Sequence, residues 1–191
     1  NSLVSYAYDM GVNYFDVAPG YGDAQELMGK SLKQYRNSVF LSCKTSNRGF
    51  SESLNDLHNS LKMLNTDHFD LYQLHGMKTR DDFERVVAKN GALEALIKAK
   101  YQGKIRYIGL SNETPWGLSE FIKYSEMLDL PRVVSVQNAY NFLNRTYELG
   151  MSEFHHRSQV GLLAYSPLAQ GYLSGKYIDG ARPAGARTTL F

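Results

Sequence analysis

The sequence predicts an α/β fold, an incomplete (β/α)8 TIM barrel with about six βα units. Short apolar runs alternate with helical patterns, which is typical of repeated βα units and a parallel sheet. Polar and ionisable residues cluster where the predicted strands end, and the active site of such a barrel lies at that end. Neither a G-x-G-x-x-G turn nor a G-x-x-x-x-G-K-[ST] loop occurs, so the sequence offers no motif for an open nucleotide-binding sheet.

Composition limits the classes of partner. The chain has 191 residues, of which 43% are hydrophobic and 21% are charged, which is enough for one sizeable core. Its net charge of +2 gives no electrostatic reason to expect nucleic acid or an anionic membrane as a partner. A single cysteine, Cys43, suits a reducing compartment, and no apolar run approaches the ~20 residues of a membrane helix. We therefore expect a cytoplasmic protein with one domain over residues 1–191.

Hydrophobic spacing predicts the elements in order. Leu3, Ala7 and Met10 repeat at helical spacing, and Gly11 supplies a C-terminal stop. Six apolar runs then predict strands. They are Tyr14–Val17, Val39–Lys44, Phe69–His75, Ile105–Leu110, Val133–Asn138 and Gly161–Tyr165.

Helices are predicted between these strands. Four leucines form one apolar stripe in segment 51–64, namely Leu54, Leu57, Leu61 and Leu64. Three apolar residues mark another helix before Gly103, namely Leu93, Leu96 and Ile97. Thr114 and Pro115 give a cap and a first-turn proline for a helix that runs through Leu128.

Four ionisable side chains end three consecutive predicted βα units. The first strand ends around Asp16, and Tyr21 lies in the loop that follows it. Lys44 and His75 end the second and third strands. Each alone has an ordinary structural interpretation as a turn, cap, packing or solvated residue. Together they form a self-consistent proton-donating site for a carbonyl oxygen.

The chemistry of these four residue types is complementary. A tyrosine hydroxyl titrates near ~10, and a nearby ammonium favours the phenolate and lowers that pKa. A lysine in such a place is desolvated and needs a carboxylate partner. A neutral imidazole can hydrogen-bond a substrate oxygen and fix its direction.

Five segments resemble, in order, segments of the aldo-keto reductase superfamily. They are GVNYFDVAPGYG, SCKTS, FDLYQLHG, GKIRYIGLSN and AYSPLAQGYLSGKY. The gaps between them also agree, and the second half, from LPRVVSVQNAYNFLNRTYELG to RPAGARTTLF, is most similar to the bacterial Tas-like branch. The resemblance implies an NADP-dependent oxidoreductase domain on a barrel of which strands 2 to 7 are present. The implied activity is reduction of an aldehyde or ketone with NADPH.

The resemblance also implies roles for individual residues. Tyr21 would be the general acid, and Lys44 would lower its pKa. Asp16 would pair with the lysine, and His75 would orient the carbonyl. The residues implied to bind NADPH are Ser111 and Asn112 at the carboxamide, Gln137, Tyr165 against the nicotinamide, Ser166, Pro167, Leu168, Ala169 and Gln170 around the pyrophosphate, Lys176 at a phosphate, and Arg187 near the adenosine end. No residue is assigned to a metal.

A second motif favours a different class of enzyme. Tyr172 and Lys176 fit Y-x-x-x-K, the catalytic pair of short-chain dehydrogenases. That pattern has only two fixed residues, and the glycine-rich cofactor turn that such enzymes need is missing from the sequence. We therefore interpret Lys176 as a phosphate ligand.

The six predicted strands fall short of the eight that a complete barrel requires. The resemblance places strand 1 before Asn1 and strand 8 after Phe191. We therefore expect a chain that is truncated at both ends and is weakly active or inactive by itself. Two alternatives remain open at this point: a regulatory or binding subunit on the same barrel, like the potassium-channel β subunits, and an inactive truncated fragment.

Overall fold

A computed structural model describes residues 2–190 as helices packed on a six-stranded sheet, in which the strands follow one another in chain order. All neighbouring strands pair in parallel. The strands are β1 (Tyr14–Asp16), β2 (Phe40–Thr45), β3 (Phe69–Leu74), β4 (Ile105–Ser111), β5 (Val133–Ala139) and β6 (Gly161–Tyr165). All six predicted strands are confirmed, with ends that differ from the expected ones by at most one residue.

The helices connect successive strands. They are α1 (Ser2–Asp9), α2 (Ala24–Leu32), α3 (Phe50–Met63), α4 (Arg80–Val87), α5 (Ala92–Tyr101), α6 (Pro115–Met127), α7 (Met151–Ser158) and α8 (Arg187–Leu190). The predicted helices correspond to α1, α3, α5 and α6, and Thr114 caps α6 by accepting from the Gly117 backbone N–H as expected. Every helix within residues 2–190 is too short or too polar to span a bilayer.

The two faces of the sheet differ in chemistry. Tyr72 and Leu74 of β3 are fully buried in the apolar core beneath the helices. The opposite face carries buried polar side chains. Among them, Gln73 donates to the Ser42 hydroxyl on β2 at 2.9 Å. Side chains along β3 therefore alternate between an apolar and a polar face, and the polar face is the one that bears the candidate site.

The sheet is curled. The side-chain amide of Gln137 on β5 donates to Asp16 on β1 at 3.1 Å, although three strands separate them in the sheet. Neighbouring strands lie ~4.8 Å apart, so four intervals of a flat sheet would separate β1 and β5 by about 19 Å. The six strands therefore form a half-barrel, with the polar face on the inside.

Candidate active site

The end of β1 and the end of β2 hold a buried ion pair. Asp16 is the last residue of β1, and Lys44 lies on the neighbouring strand. The Lys44 ammonium donates to Asp16 Oδ2 and lies 3.4 Å from the Val17 carbonyl oxygen. The lysine side chain is 0% exposed and the aspartate side chain is 22% exposed. The ammonium is therefore held by the protein, while its carboxylate partner still reaches the mouth of the half-barrel.

Two amides complete the surroundings of the carboxylate. Gln73 Nε2 donates to Asp16 Oδ1 at 3.1 Å, and Gln137 Nε2 donates to Asp16 Oδ2 at 3.1 Å. Asp16 thus accepts from side chains on three other strands, which fixes the orientation of the carboxylate at the centre of the curled sheet.

Tyr21 lies beside this ion pair, in the loop after β1. A backbone hydrogen bond from Tyr21 to Ala18 closes the turn, and Gly22 follows with a φ of +59°, which a glycine adopts without strain. The Lys44 ammonium lies 5.5 Å from the centre of the Tyr21 ring. The tyrosine is 46% exposed, so its phenol is accessible from the mouth.

His75 follows β3 and completes the group of four. Its ring meets the Tyr21 ring edge to face, with centroids 6.1 Å apart and an interplanar angle of 86°. His75 Nδ1 lies 3.3 Å from the Ser46 hydroxyl. The four predicted catalytic side chains therefore form one series of neighbours, from Asp16 through Lys44 and Tyr21 to His75, at the carboxyl ends of three successive strands.

The electrostatics give the tyrosine the opposite shift to the one expected from a lysine neighbour. Burial, and next the charge of Asp16, raise the pKa of Tyr21. Burial removes water that would solvate a phenolate, and the negative charge of Asp16 disfavours the phenolate further. Tyr21 therefore keeps its proton at neutral pH, which is the state that a proton donor needs.

The histidine is shifted the other way. Burial, and next the Lys44 ammonium, lower the pKa of His75, because both disfavour the imidazolium. The imidazole is therefore neutral at neutral pH, so it can hydrogen-bond a carbonyl oxygen without carrying a competing positive charge.

The residues predicted to contact the nicotinamide lie at the ends of β4, β5 and β6. The Tyr165 hydroxyl donates to Asn112 Oδ1 at 2.8 Å, and the Asn112 backbone N–H donates to the Gln137 carbonyl at 2.9 Å. The Asn112 side-chain amide lies 3.2 Å from the Ser111 hydroxyl. The structure thus brings these four residues together, although the Gln137 side chain is turned onto Asp16.

Residues 166–170 form an irregular turn after β6. Ser166, Ala169 and Gln170 all have positive φ values, and the Ser166 carbonyl accepts from the Asn141 amide at 2.9 Å. Pro167 and Leu168 lie between them, and Leu168 is half-exposed.

Lys176 and Arg187 lie against the same turn. A Cβ placed on Gly171 would lie 2.5 Å from Lys176 Cε, so the lysine stem crosses the backbone of the turn. Gln170 and Arg187 line one surface cavity with Tyr172 and Thr188. Lys176, predicted at a phosphate, and Arg187, predicted near the adenosine end, are therefore on the same side of the molecule as the turn.

Three residues of the site were missed by the sequence analysis. Gln73 contacts Asp16, Ser46 contacts the His75 ring, and Arg48 donates to the His75 carbonyl at 3.1 Å. The alternation along β3 placed Gln73 on the same face as His75, which was a usable signal. Ser46 ends the SCKTS segment but was given no role there, and Arg48 lies in the following loop, outside the five segments.

Comparison with known proteins gives consistent matches. A family model described as the aldo/keto reductase family matches residues 1–189. Protein tas of Escherichia coli (strain K12) is 36% identical over 227 aligned residues, which cover 100% of this chain and 66% of that protein. The chain thus spans just under two thirds of the length of this curated relative.

Solved structures agree with this match. The alignment with an aldo/keto reductase from Brucella melitensis has a TM-score of 0.73 at 32% identity, and it covers 88% of this chain and 63% of the other. An aldo-keto reductase from Klebsiella pneumoniae in complex with NADPH has a TM-score of 0.77 at 26% identity and covers 92% of this chain and 59% of its own.

Proposed function

The chain belongs to the aldo/keto reductase family, and from this membership we propose that it reduces an aldehyde or ketone to an alcohol with NADPH. The observation that carries the proposal is the contact of four complementary groups at one mouth. Lys44 and Asp16 are paired, the Lys44 ammonium faces the Tyr21 ring, and Tyr21 meets His75. The proposed partner is a small carbonyl compound.

The nicotinamide end of NADPH fits the residues after β4 and β6. Asn112 presents an amide that can pair with a carboxamide, and its neighbour Tyr165 is a partly exposed aromatic residue, 37% accessible to solvent. An amide and an accessible ring side by side suit a flat ring that bears a carboxamide. When bound, NADPH supplies the hydride.

The phosphate end fits the turn after β6. Ser166, Ala169 and Gln170 are left-handed residues of this turn, and a turn that contains left-handed residues can direct backbone N–H groups toward an anion. Lys176 and Arg187 add positive charge beside it. We assign the pyrophosphate to residues 166–170, one phosphate to Lys176 and the adenosine end to Arg187.

Residues of the chain itself hold the proton and transfer it to the substrate. Tyr21 holds it at neutral pH and gives it to the carbonyl oxygen, while the neutral His75 imidazole hydrogen-bonds that oxygen and fixes its direction. The Lys44 ammonium beside the ring stabilises the phenolate that forms as the proton leaves. Asp16 keeps the ammonium in place.

We test this proposal with the purified full-length protein. The expected result is a loss of NADPH absorbance that depends on an added aldehyde or ketone from a panel, together with a rise in melting temperature when NADPH is present. A melting shift without turnover of any carbonyl would favour the binding-subunit alternative. The absence of both a melting shift and turnover would contradict the proposal.

The pH dependence of reduction follows from the two shifted groups. The raised pKa of Tyr21 keeps the proton donor intact through neutrality, so the rate should fall on the alkaline side only above the usual phenol range near ~10. The lowered pKa of His75 keeps the imidazole neutral, so the rate should fall on the acid side only below ~6.5.

The measurement is kcat/KM against pH, which reports groups of the free enzyme. A His75→Gln variant is the control, and it should lose the acid limb while it keeps the alkaline one. An acid limb with its midpoint above the ordinary imidazole value would contradict the assignment of His75.

A further inference from the structure

We propose that Arg48 is a positioning residue that ties the loop after β2 to the loop after β3 and so holds His75 toward the carbonyl. This inference rests on the proposed function, because it assigns Arg48 a role through His75. Arg48 lies outside the group of four and has no contact with the ion pair that the mechanism uses.

The guanidinium of Arg48 spans both loops. Nη1 donates to the Ser46 carbonyl at 3.1 Å, and Nη2 donates to the carbonyls of His75 and Gly76 at 3.1 and 3.2 Å. The side chain is only 10% exposed. One planar group therefore fixes the backbone of His75 and the backbone of Ser46, the residue whose hydroxyl faces the His75 ring.

We call Arg48 and its bonds to the Ser46, His75 and Gly76 carbonyls the Arg48 clamp. Asp82 connects this clamp to helix α4. Arg48 Nε donates to Asp82 Oδ1 at 2.8 Å. Asp82 Oδ2 accepts from the Thr79 backbone N–H at 3.3 Å, and the Thr79 side chain accepts from the Asp82 backbone N–H at 3.1 Å, and these two bonds form the capping box of α4. The Thr79 hydroxyl also donates to Asp82 Oδ2 at 2.9 Å. One oxygen of the Asp82 carboxylate thus binds Arg48 and the other binds the start of α4. The two loops are therefore attached to a regular helix through Asp82.

The backbone after His75 depends on such support. Gly76 has a φ of +68°, so the chain turns sharply directly after the histidine. The carbonyl oxygens on both sides of this turn accept from Arg48. Because a guanidinium offers several donors in one fixed plane and an ammonium does not, lysine at this position keeps the charge but cannot make the same set of bonds.

The test compares three variants of the full-length protein. Arg48→Lys keeps the charge and loses the planar fork, whereas Arg48→Met loses both. Arg80→Met is the matched control, because Arg80 also lies near the start of α4 but, within residues 2–190, its guanidinium pairs with the exposed Glu84 alone. We expect a measurable fall of kcat, by up to about 10²-fold, in both Arg48 variants, with the melting shift caused by NADPH retained. We expect no change in Arg80→Met.

Titration of the His75 ring, followed by nitrogen NMR, separates position from charge. The charged groups that face this ring are Lys44, Asp16, Arg48 and Lys78. The Arg48 charge disfavours the imidazolium, so the pKa of His75 should rise in Arg48→Met and stay close to wild type in Arg48→Lys. A fall of kcat in Arg48→Lys at unchanged His75 pKa is the signature of positioning.

An unchanged kcat in folded Arg48→Lys would overturn the proposal, and this variant decides the question if Arg48→Met does not fold. If the wild-type protein turns over no carbonyl, the proposed function fails separately. In that case the chemical shifts of the His75 ring nitrogens still test the role of Arg48, because loss of its bonds to the two loops should alter the environment of His75 Nδ1 beside Ser46. Unchanged nitrogen shifts in Arg48→Lys would then overturn the role of Arg48.

Discussion

Tyr21→Phe is expected to lower the rate of carbonyl reduction by at least about 10²-fold while NADPH binding is retained. The substitution removes only the hydroxyl. The ring can keep its place 5.5 Å from the Lys44 ammonium and its edge-to-face contact with His75. The side chain is 46% exposed, so little stability should be lost. The effect should appear in kcat, because the proton is transferred only as the reaction proceeds.

Tyr107→Phe is the matched control for this prediction. Tyr107 is 47% exposed, and its ring also faces a lysine, with Lys100 Nζ 5.7 Å from the centroid. It lies on β4, outside the group of four, so the variant should keep the wild-type kcat. If Tyr21→Phe turned over carbonyls at the wild-type rate, Tyr21 would not be the proton donor.

Strands and site residues differed in how well local sequence could predict them. The strands were predictable because each is an apolar run of fixed length, and parallel pairing in chain order follows from repeated βα units. Helix α4 was missed even though Thr79 and Asp82 form a capping box, since its face is mostly charged. Helix α2 carries Gly29 in its middle, which weakens the helical pattern.

Contacts that span the sheet left no local signal. The bond between Gln137 and Asp16 exists because the sheet curls, which no short stretch of sequence encodes. The Arg48 clamp depends on the paths of two loops and on the position of α4. Such contacts are set by the assembled half-barrel, so sequence patterns could place the four catalytic candidates but not the residues that hold them.

The shift of Tyr21 illustrates the same limit. Considered as a pair, a lysine beside a tyrosine lowers the tyrosine pKa. In the folded chain Asp16 is bound to Lys44, and burial together with the Asp16 charge raises the pKa of Tyr21 instead. The direction of the shift depends on Tyr21, Lys44 and Asp16 and on the exclusion of solvent. The motifs identified the three groups, whereas the exclusion of solvent depends on the folded chain.

Lys44→Met is expected to cost about 3 kcal/mol of unfolding free energy and to abolish turnover. Removing one partner of a buried ion pair typically costs about 3–5 kcal/mol, because it leaves an uncompensated charge. We expect the lower end, since the Asp16 side chain is 22% exposed and keeps the Gln73 and Gln137 amides as donors. Urea unfolding of the full-length protein measures the change. Lys30→Met, which breaks an exposed pair with Glu26, is the control and should leave the stability close to that of the wild type, because solvent screens such a pair.

The double variant Asp16→Asn/Lys44→Met separates stability from catalysis. With both charges gone, no uncompensated carboxylate remains, so much of the stability lost in Lys44→Met should return. Activity should not return, because nothing would then stabilise the phenolate that Tyr21 becomes as it gives up its proton. A double variant whose stability loss equals the sum of the two single losses would show that the pair is not coupled. Restored turnover in that variant would instead remove the ammonium from the mechanism, and the geometry of Tyr21 and His75 alone would have to account for the reaction.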